Sequence, residues 1–138
     1  MVLPKNLPDA LRYSKKELLN ILIEEEYGKI PKAPLSISAE ILSEDKAFCS
    51  GFAPLIRYNL KTVTENGEFS FPLNFVCPDS KEALPCFILI NFESSVPSKY
   101  YPAEEIADNG FAVISINYND ISSDDGDFSN GLAGVVFK

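Results

Sequence analysis

Four aspartates crowd one short stretch near the C-terminal end: Asp120, Asp124, Asp125 and Asp127. Carboxylates this close in sequence can gather oxygen ligands around a hard cation such as calcium. The twelve-residue calcium-loop spacing fails, because Gly126 at its sixth position puts Ile121 at the first, where an acid is needed. A solvated acidic loop is the simpler reading. The other reactive side chains are Cys49, Cys77 and Cys86, each beside an apolar neighbour (Phe48, Val76 and Phe87). An odd number of thiols in apolar context reads as reduced core filler, not as ligands or nucleophiles. A Cys77–Cys86 disulfide would need the two to face each other across a hairpin, and a reducing compartment argues against it.

The chain has no histidine. Imidazole is the usual base that takes a serine or cysteine proton near neutral pH, so this chain alone cannot assemble a Ser-His-Asp or Cys-His device. Zinc sites that use His are closed as well, and three thiolates are one short of a four-cysteine site. No metal and no cofactor site is assigned. Twelve basic against twenty acidic residues give a net charge of −8, which repels a phosphate backbone, so no nucleic-acid partner is expected. The acids are unevenly spread: residues 81–138 carry nine of them against three basic groups.

The 138 residues are the size of one domain. No apolar run reaches the ~18 residues of a membrane span, so no membrane partner is expected. The opening Met1-Val2-Leu3-Pro4-Lys5 lacks the layout of a secretory signal, which makes the cytoplasm the default address. A helix is predicted over Ser14–Tyr27. Ser14 and Glu17 form a capping box, and Leu18, Leu19, Leu22 and Ile23 recur at helical spacing. Gly28 supplies the left-handed stop, with Pro31 and Pro34 beyond it. The acidic run Glu24-Glu25-Glu26 lies at the wrong end for the helix dipole and reads as a solvated face.

From Leu35 the period changes to two. Ser36–Ile41, Ile56–Val63 and Glu68–Cys77 alternate as half-buried strands, and Asn66-Gly67 suits the positive φ angles of a tight hairpin turn. Pro72 cannot donate to a ladder, so it belongs at a bulge or on an open side. Cys86–Phe92 and Phe111–Ile116 are almost wholly apolar, as strands of a parallel pair covered on both faces would be. Between them, Pro102–Gly110 reads as a short helix with acids at its positive end, giving a βαβ unit. An acidic loop and the apolar tail Leu132–Phe137 follow.

This order, with its local phrases, resembles the N-terminal half of an α/β-hydrolase, closest to bacterial acetylxylan-esterase and glucuronoyl-esterase-like proteins. The phrases are Phe87–Phe92, Glu104–Val113, and Tyr118-Asn119-Asp120-Ile121 leading into Asp124-Asp125-Gly126-Asp127. The likeness covers roughly residues 15–138. It implies an α/β fold with an N-terminal helix, an antiparallel β-meander and then a parallel βαβ unit, organised as a helical segment 1–34 and a partial hydrolase-like domain 35–138. It implies kinship with carbohydrate ester hydrolases of the acetylxylan or glucuronoyl type. In such proteins the nucleophile stands on a sharp turn after a further strand, within G-x-S-x-G, and the acid and His come later.

None of those segments is found in residues 1–138. Asp127-Phe128-Ser129-Asn130-Gly131 has Asp where the first Gly belongs and no strand before it, so Ser129 reads as a turn or cap serine. Glu93-Ser94-Ser95-Val96 occupies the place of an oxyanion loop without its His-Gly pattern. The resemblance also places the loop of Asp120, Asp124, Asp125 and Asp127 at the border of a substrate cleft, which makes these four the candidate binding residues. Tyr100-Tyr101 would either face sugars or pack at the helix entrance. The expectation is a truncated or split hydrolase-like chain, inactive alone. The alternative is a self-contained, non-catalytic binding or interaction module. In the family sheet, Cys86–Phe92 lies between Phe111–Ile116 and the nucleophile strand, so here that edge should stand open and invite self-association or a second chain.

Overall fold

The computed structural model describes residues 11–137. The chain divides into two compact units with a boundary between Lys32 and Ala33. In the first, helix α1 spans Lys15–Leu22. Its start is fixed by reciprocal capping. The Glu17 N–H donates to Ser14 Oγ at 3.3 Å, and the Ser14 N–H donates to Glu17 Oε2 at 2.8 Å. The Ser14 hydroxyl, which donates to Glu17 Oε2 at 2.7 Å, and then the Ser14 N–H hold the Glu17 carboxyl below its ordinary pKa. The helix continues as expected to Tyr27, but residues Ile23–Tyr27 wind as a wider π-turn before Gly28, at φ 72°, ends it.

The second unit is a five-stranded mixed sheet. Its strands are β1 (Ser36–Asp45), β2 (Leu55–Thr64), β3 (Gly67–Val76), β4 (Cys86–Asn91) and β5 (Ala112–Asn117), in the order β1-β2-β3-β5-β4. The first three neighbouring pairs are antiparallel, and β4 with β5 is the expected parallel pair, in register from Cys86 opposite Ala112 to Asn91 opposite Asn117. Helix α2 (Ala103–Asp108) is the crossover between them. A last helical turn, α3 (Ala133–Val136), is tied to the β2–β3 hairpin by the Thr64 hydroxyl, which donates to the Val135 carbonyl at 2.7 Å.

Period-two alternation sorts the sheet into two faces. One presents Leu55, Val76 and Val113 to Ala53, Tyr101, Ala103 and Ala107, which together form the core. Val76 and Val113 are fully buried, and each such valine stabilises by about 1.5–3 kcal/mol. Pro72 faces Asn59 of β2 in the stretch of β3 that β5 does not pair, so its missing N–H leaves no gap in that second ladder.

Several expectations are corrected. Neither Glu65 nor Asn66 adopts positive φ. They take the corners of the hairpin turn, and Gly67 at φ 148° opens β3 one residue earlier than the Asn-Gly pattern indicates. Cys77 and Cys86 do not face each other across a hairpin, because β5 lies between their strands. Two strand spacings are about 9.5 Å, beyond disulfide reach. All three thiols are free, and Cys86 is exposed, not core filler. The apolar run of β4 is not covered on both faces either: Phe87, Ile88 and Ile90 are 53%, 69% and 62% exposed. The β1–β2 connection holds an unforeseen feature, with Cys49 and Ser50 consecutively left-handed at φ 49° and 56°.

Candidate functional site

The two parallel strands end alike. β4 finishes in Asn91-Phe92 and β5 in Asn117-Tyr118, with the asparagines opposite one another as the last rung of the ladder. Each asparagine turns the chain by accepting from a backbone N–H two residues on: Asn91 Oδ1 from Glu93 at 3.2 Å, and Asn117 Oδ1 from Asn119 at 2.9 Å. The rings that follow, Phe92 and Tyr118, pack with centroids 5.2 Å apart. Paired stops of this kind splay the two chains away from the sheet and open a space beyond their C-terminal ends.

That space is a cleft of about 540 Å³, lined by Phe92, Glu93, Ser94, Ser95, Asn117, Asn119 and Asp120. Amides, carboxylates and hydroxyls around one exposed ring suit a ligand rich in hydroxyl groups, which can both donate and accept. Asn91, next to the lining residue Phe92 and 4% exposed, keeps a buried Nδ2 with no partner among the described residues. A buried donor left unpaired costs about 1–3 kcal/mol.

Of the four aspartates singled out from the sequence, Asp120 lines this cleft. The other three bind their own loop or stand apart from that wall. Asp125 Oδ1 accepts from the Ser123 hydroxyl and from the Asp127 N–H, both at 2.9 Å, and Asp127 Oδ1 accepts from the Ser129 N–H at 2.9 Å. Hydrogen bonds from Ser129, and secondarily from Asn130, hold the Asp127 carboxyl below its ordinary value. No group of three or more Cys, Asp or Glu side chains among the described residues is arranged to hold a metal ion. Ser129 occupies the turn that its neighbours suggest.

Leu132 N–H closes the loop on the Ile121 carbonyl at 2.8 Å, and a Cβ at Gly131 would collide with that same carbonyl. Of the tyrosine pair, Tyr101 packs in the core at 2% exposure, while Tyr100 is exposed beneath Lys99, whose Nζ is 4.6 Å from its ring centroid. Burial pushes the Tyr101 phenol well up, helped by the nearby Cys49 and Cys86 thiols. The sequence reading overlooked Asn91, Asn117 and Asn119 as architects of the cleft. The signal was present: an Asn-aromatic pair closing each of two apolar runs.

No protein-family model matches the sequence, and no curated protein matches it. Solved structures do match. A CE15 glucuronoyl esterase from Teredinibacter turnerae T7901 superposes at a TM-score of 0.63 with 22% identity, over 94% of this chain and 36% of that one. A glucuronoyl esterase from Solibacter usitatus gives 0.61 at 16% identity, over 98% and 41%. A promiscuous CE15 esterase from a marine bacterial metagenome gives 0.59 at 16%, over 86% and 38%. The chain thus spans about two fifths of the length of these esterases. At such identities the likeness is one of fold, and over that span this chain carries a partial α/β-hydrolase fold of the kind found in glucuronoyl esterases.

Proposed function

We propose that residues 1–138 are the front part of an α/β-hydrolase-type carbohydrate esterase, supplying one wall of its ligand cleft and cleaving no ester alone. The single observation that carries this reading is the position of β4. Among the described residues it is an edge of the sheet, with one side of its ladder unpaired, in a chain that matches only 36–41% of esterases sharing its fold. The absence of histidine fits the same reading, since no described Ser or Cys can be paired with an imidazole. On this reading the open edge takes a strand from a second chain or another copy of this one. The three unpaired thiols fit a reducing, cytoplasmic address.

The test is hydrolysis of p-nitrophenyl acetate by the purified chain. Turnover equal to buffer is expected, and turnover above buffer overturns the inactivity. The reading frame after the codon for Lys138 tests the rest: a continuation encoding a Ser elbow and a His supports the front-part reading. A second reading, a self-contained non-catalytic binding module, is favoured by one observation. The β1–β2 connection, β3, β5 and α2 already share a single core through Ala53, Val76, Val113, Ala103 and Ala107. A strictly monomeric chain with sharp amide spectra, and a stop codon followed by unrelated sequence, would select it.

A further inference from the structure

The parallel ladder decides which peptide groups of β4 are already used. The Ala112 N–H donates to the Pro85 carbonyl at 3.0 Å, and Ala112 stands opposite Cys86. Bonding residues alternate along a parallel strand, so Phe87, Leu89 and Asn91 turn their N–H and C=O groups toward β5. Cys86, Ile88 and Ile90 turn theirs the other way, where no strand lies among the described residues. This evenly spaced row, with Ile88 at its middle, is its own complement under a two-fold axis. Laid antiparallel against a second copy, Ile88 meets its own counterpart, and Cys86 meets Ile90 at either end. Each of these pairs exchanges two hydrogen bonds, so the register uses every free group in the row. A slip of two residues forfeits one pair, and a slip of one sets bonding residues against residues that face β5.

The side chains agree with that pairing. β4 carries no charge, so although each copy stands at −8, no like charges face each other across the seam. Cys86, Ile88 and Ile90 project to the face opposite Leu89, which packs against the core. Ile88 and Ile90 are 69% and 62% exposed, and an identical row would cover them. On the other face Phe87, 53% exposed, would meet Leu89 of the second copy. Cys86, Phe87, Ile88 and Ile90 offer on the order of 100 Å² apiece, about half of the ~800 Å² per partner in a standard stable interface. Side-chain contact alone is therefore too small an area to hold a globular partner. Main-chain bonds make up the shortfall, and they need a strand that matches residue for residue. Another copy's β1 is not such a strand, because its register breaks between Ile41 and Ser43. Another copy's β4 is.

We propose that β4 is the seam of a two-fold dimer of this chain, paired antiparallel with Ile88 on the axis. The proposal rests on the open edge of the reading above and names its occupant and register. Its test is disulfide trapping in the whole chain, because Cα atoms of a bonded antiparallel pair lie about 5.5 Å apart, within disulfide reach. Three variants are oxidised with glutathione disulfide and mapped by mass spectrometry of non-reduced digests. They are Ile88→Cys with Cys86→Ser, Ile90→Cys with Cys86 kept, and Ile90→Cys with Cys86→Ser. The first should link position 88 to itself, and the second position 86 to position 90. The third should give at least tenfold less linked dimer, since its thiols lie four residues out of step, about 13 Å apart. All three positions are exposed, so the substitutions leave the core intact. The unaltered chain should dimerise more as salt rises, because screening relieves the repulsion between two chains at −8. Any other linking pattern, including none, overturns the proposal, as does a chain that stays monomeric at high salt. A foreign strand seated on the edge would give the pattern with no links. Ester turnover above buffer would overturn the inactivity and leave the links unchanged, whereas an inactive monomer would overturn the dimer alone.

Discussion

The two borders of the sheet are built on different plans. β1 is ten residues long, carries Glu40, Glu44 and Asp45, and is broken by an irregularity between Ile41 and Ser43. Charges and a bulge are the ordinary means by which an edge strand is kept from pairing with a stranger. β4, at the other border, has six residues, no charge, no proline and an unbroken register, and its side chains Phe87, Ile88 and Ile90 stand in solvent on both faces. Apolar side chains are exposed on both strands, Ile37 and Ile41 on β1 among them, so exposure does not separate the two. Protection does. One border is finished, and the other has the composition of an interior strand.

The contrast is sharpened most by moving one strand inward. Val113→Asp, at a fully buried position of β5, buries an unpaired charge and should cost at least ~4 kcal/mol in urea unfolding, whereas Ile88→Asp on the neighbouring edge should cost under ~1 kcal/mol. Equal losses would mean that β4 is covered in solution. Next comes association: Ile88→Lys with Ile90→Lys should shift sedimentation to the 15.3 kDa monomer from whatever larger species the unaltered chain forms. An unaltered chain that is already monomeric at high concentration would break the comparison outright. A smaller effect is expected from thiol alkylation with iodoacetamide. Cys86, on the open strand, should react first. Cys49 and Cys77, whose thiols are pushed up by burial and then by nearby acidic groups, should react later and gain more as pH rises.

The smallest effect concerns helix α1. Glu17 titrates below its ordinary value in the folded helix, so its capping contribution is complete above the unfolded carboxylate pKa. It is lost as pH falls through the lower folded pKa. Carbon chemical shifts of residues 15–22 should report that loss of helix, and Ser14→Ala should produce it at neutral pH.

What could be read from the residues was whatever short-range chemistry fixes. Ser14 with Glu17, Gly28, the alternation of Ile56–Val63 and the almost wholly apolar run Phe111–Ile116 each state their element locally, and the structure contains all of them. Environment was less legible. Cys86–Asn91 and Ala112–Asn117 are alike in composition, yet one is an edge and the other is flanked, because strand order is set by long-range packing. The site was half legible for the same reason. Asp120 falls on the cleft, but Asp125 and Asp127 are consumed by turns that a run of acids does not announce.

The irregularity in β1 has a consequence for how far any assembly can extend. A molecule with two receptive borders adds copies without limit, as a filament does. With β1 closed to newcomers, two chains meeting β4 to β4 would exhaust each other's free ladder and leave only guarded flanks outside. In the association proposed above, growth would stop at a ten-stranded pair.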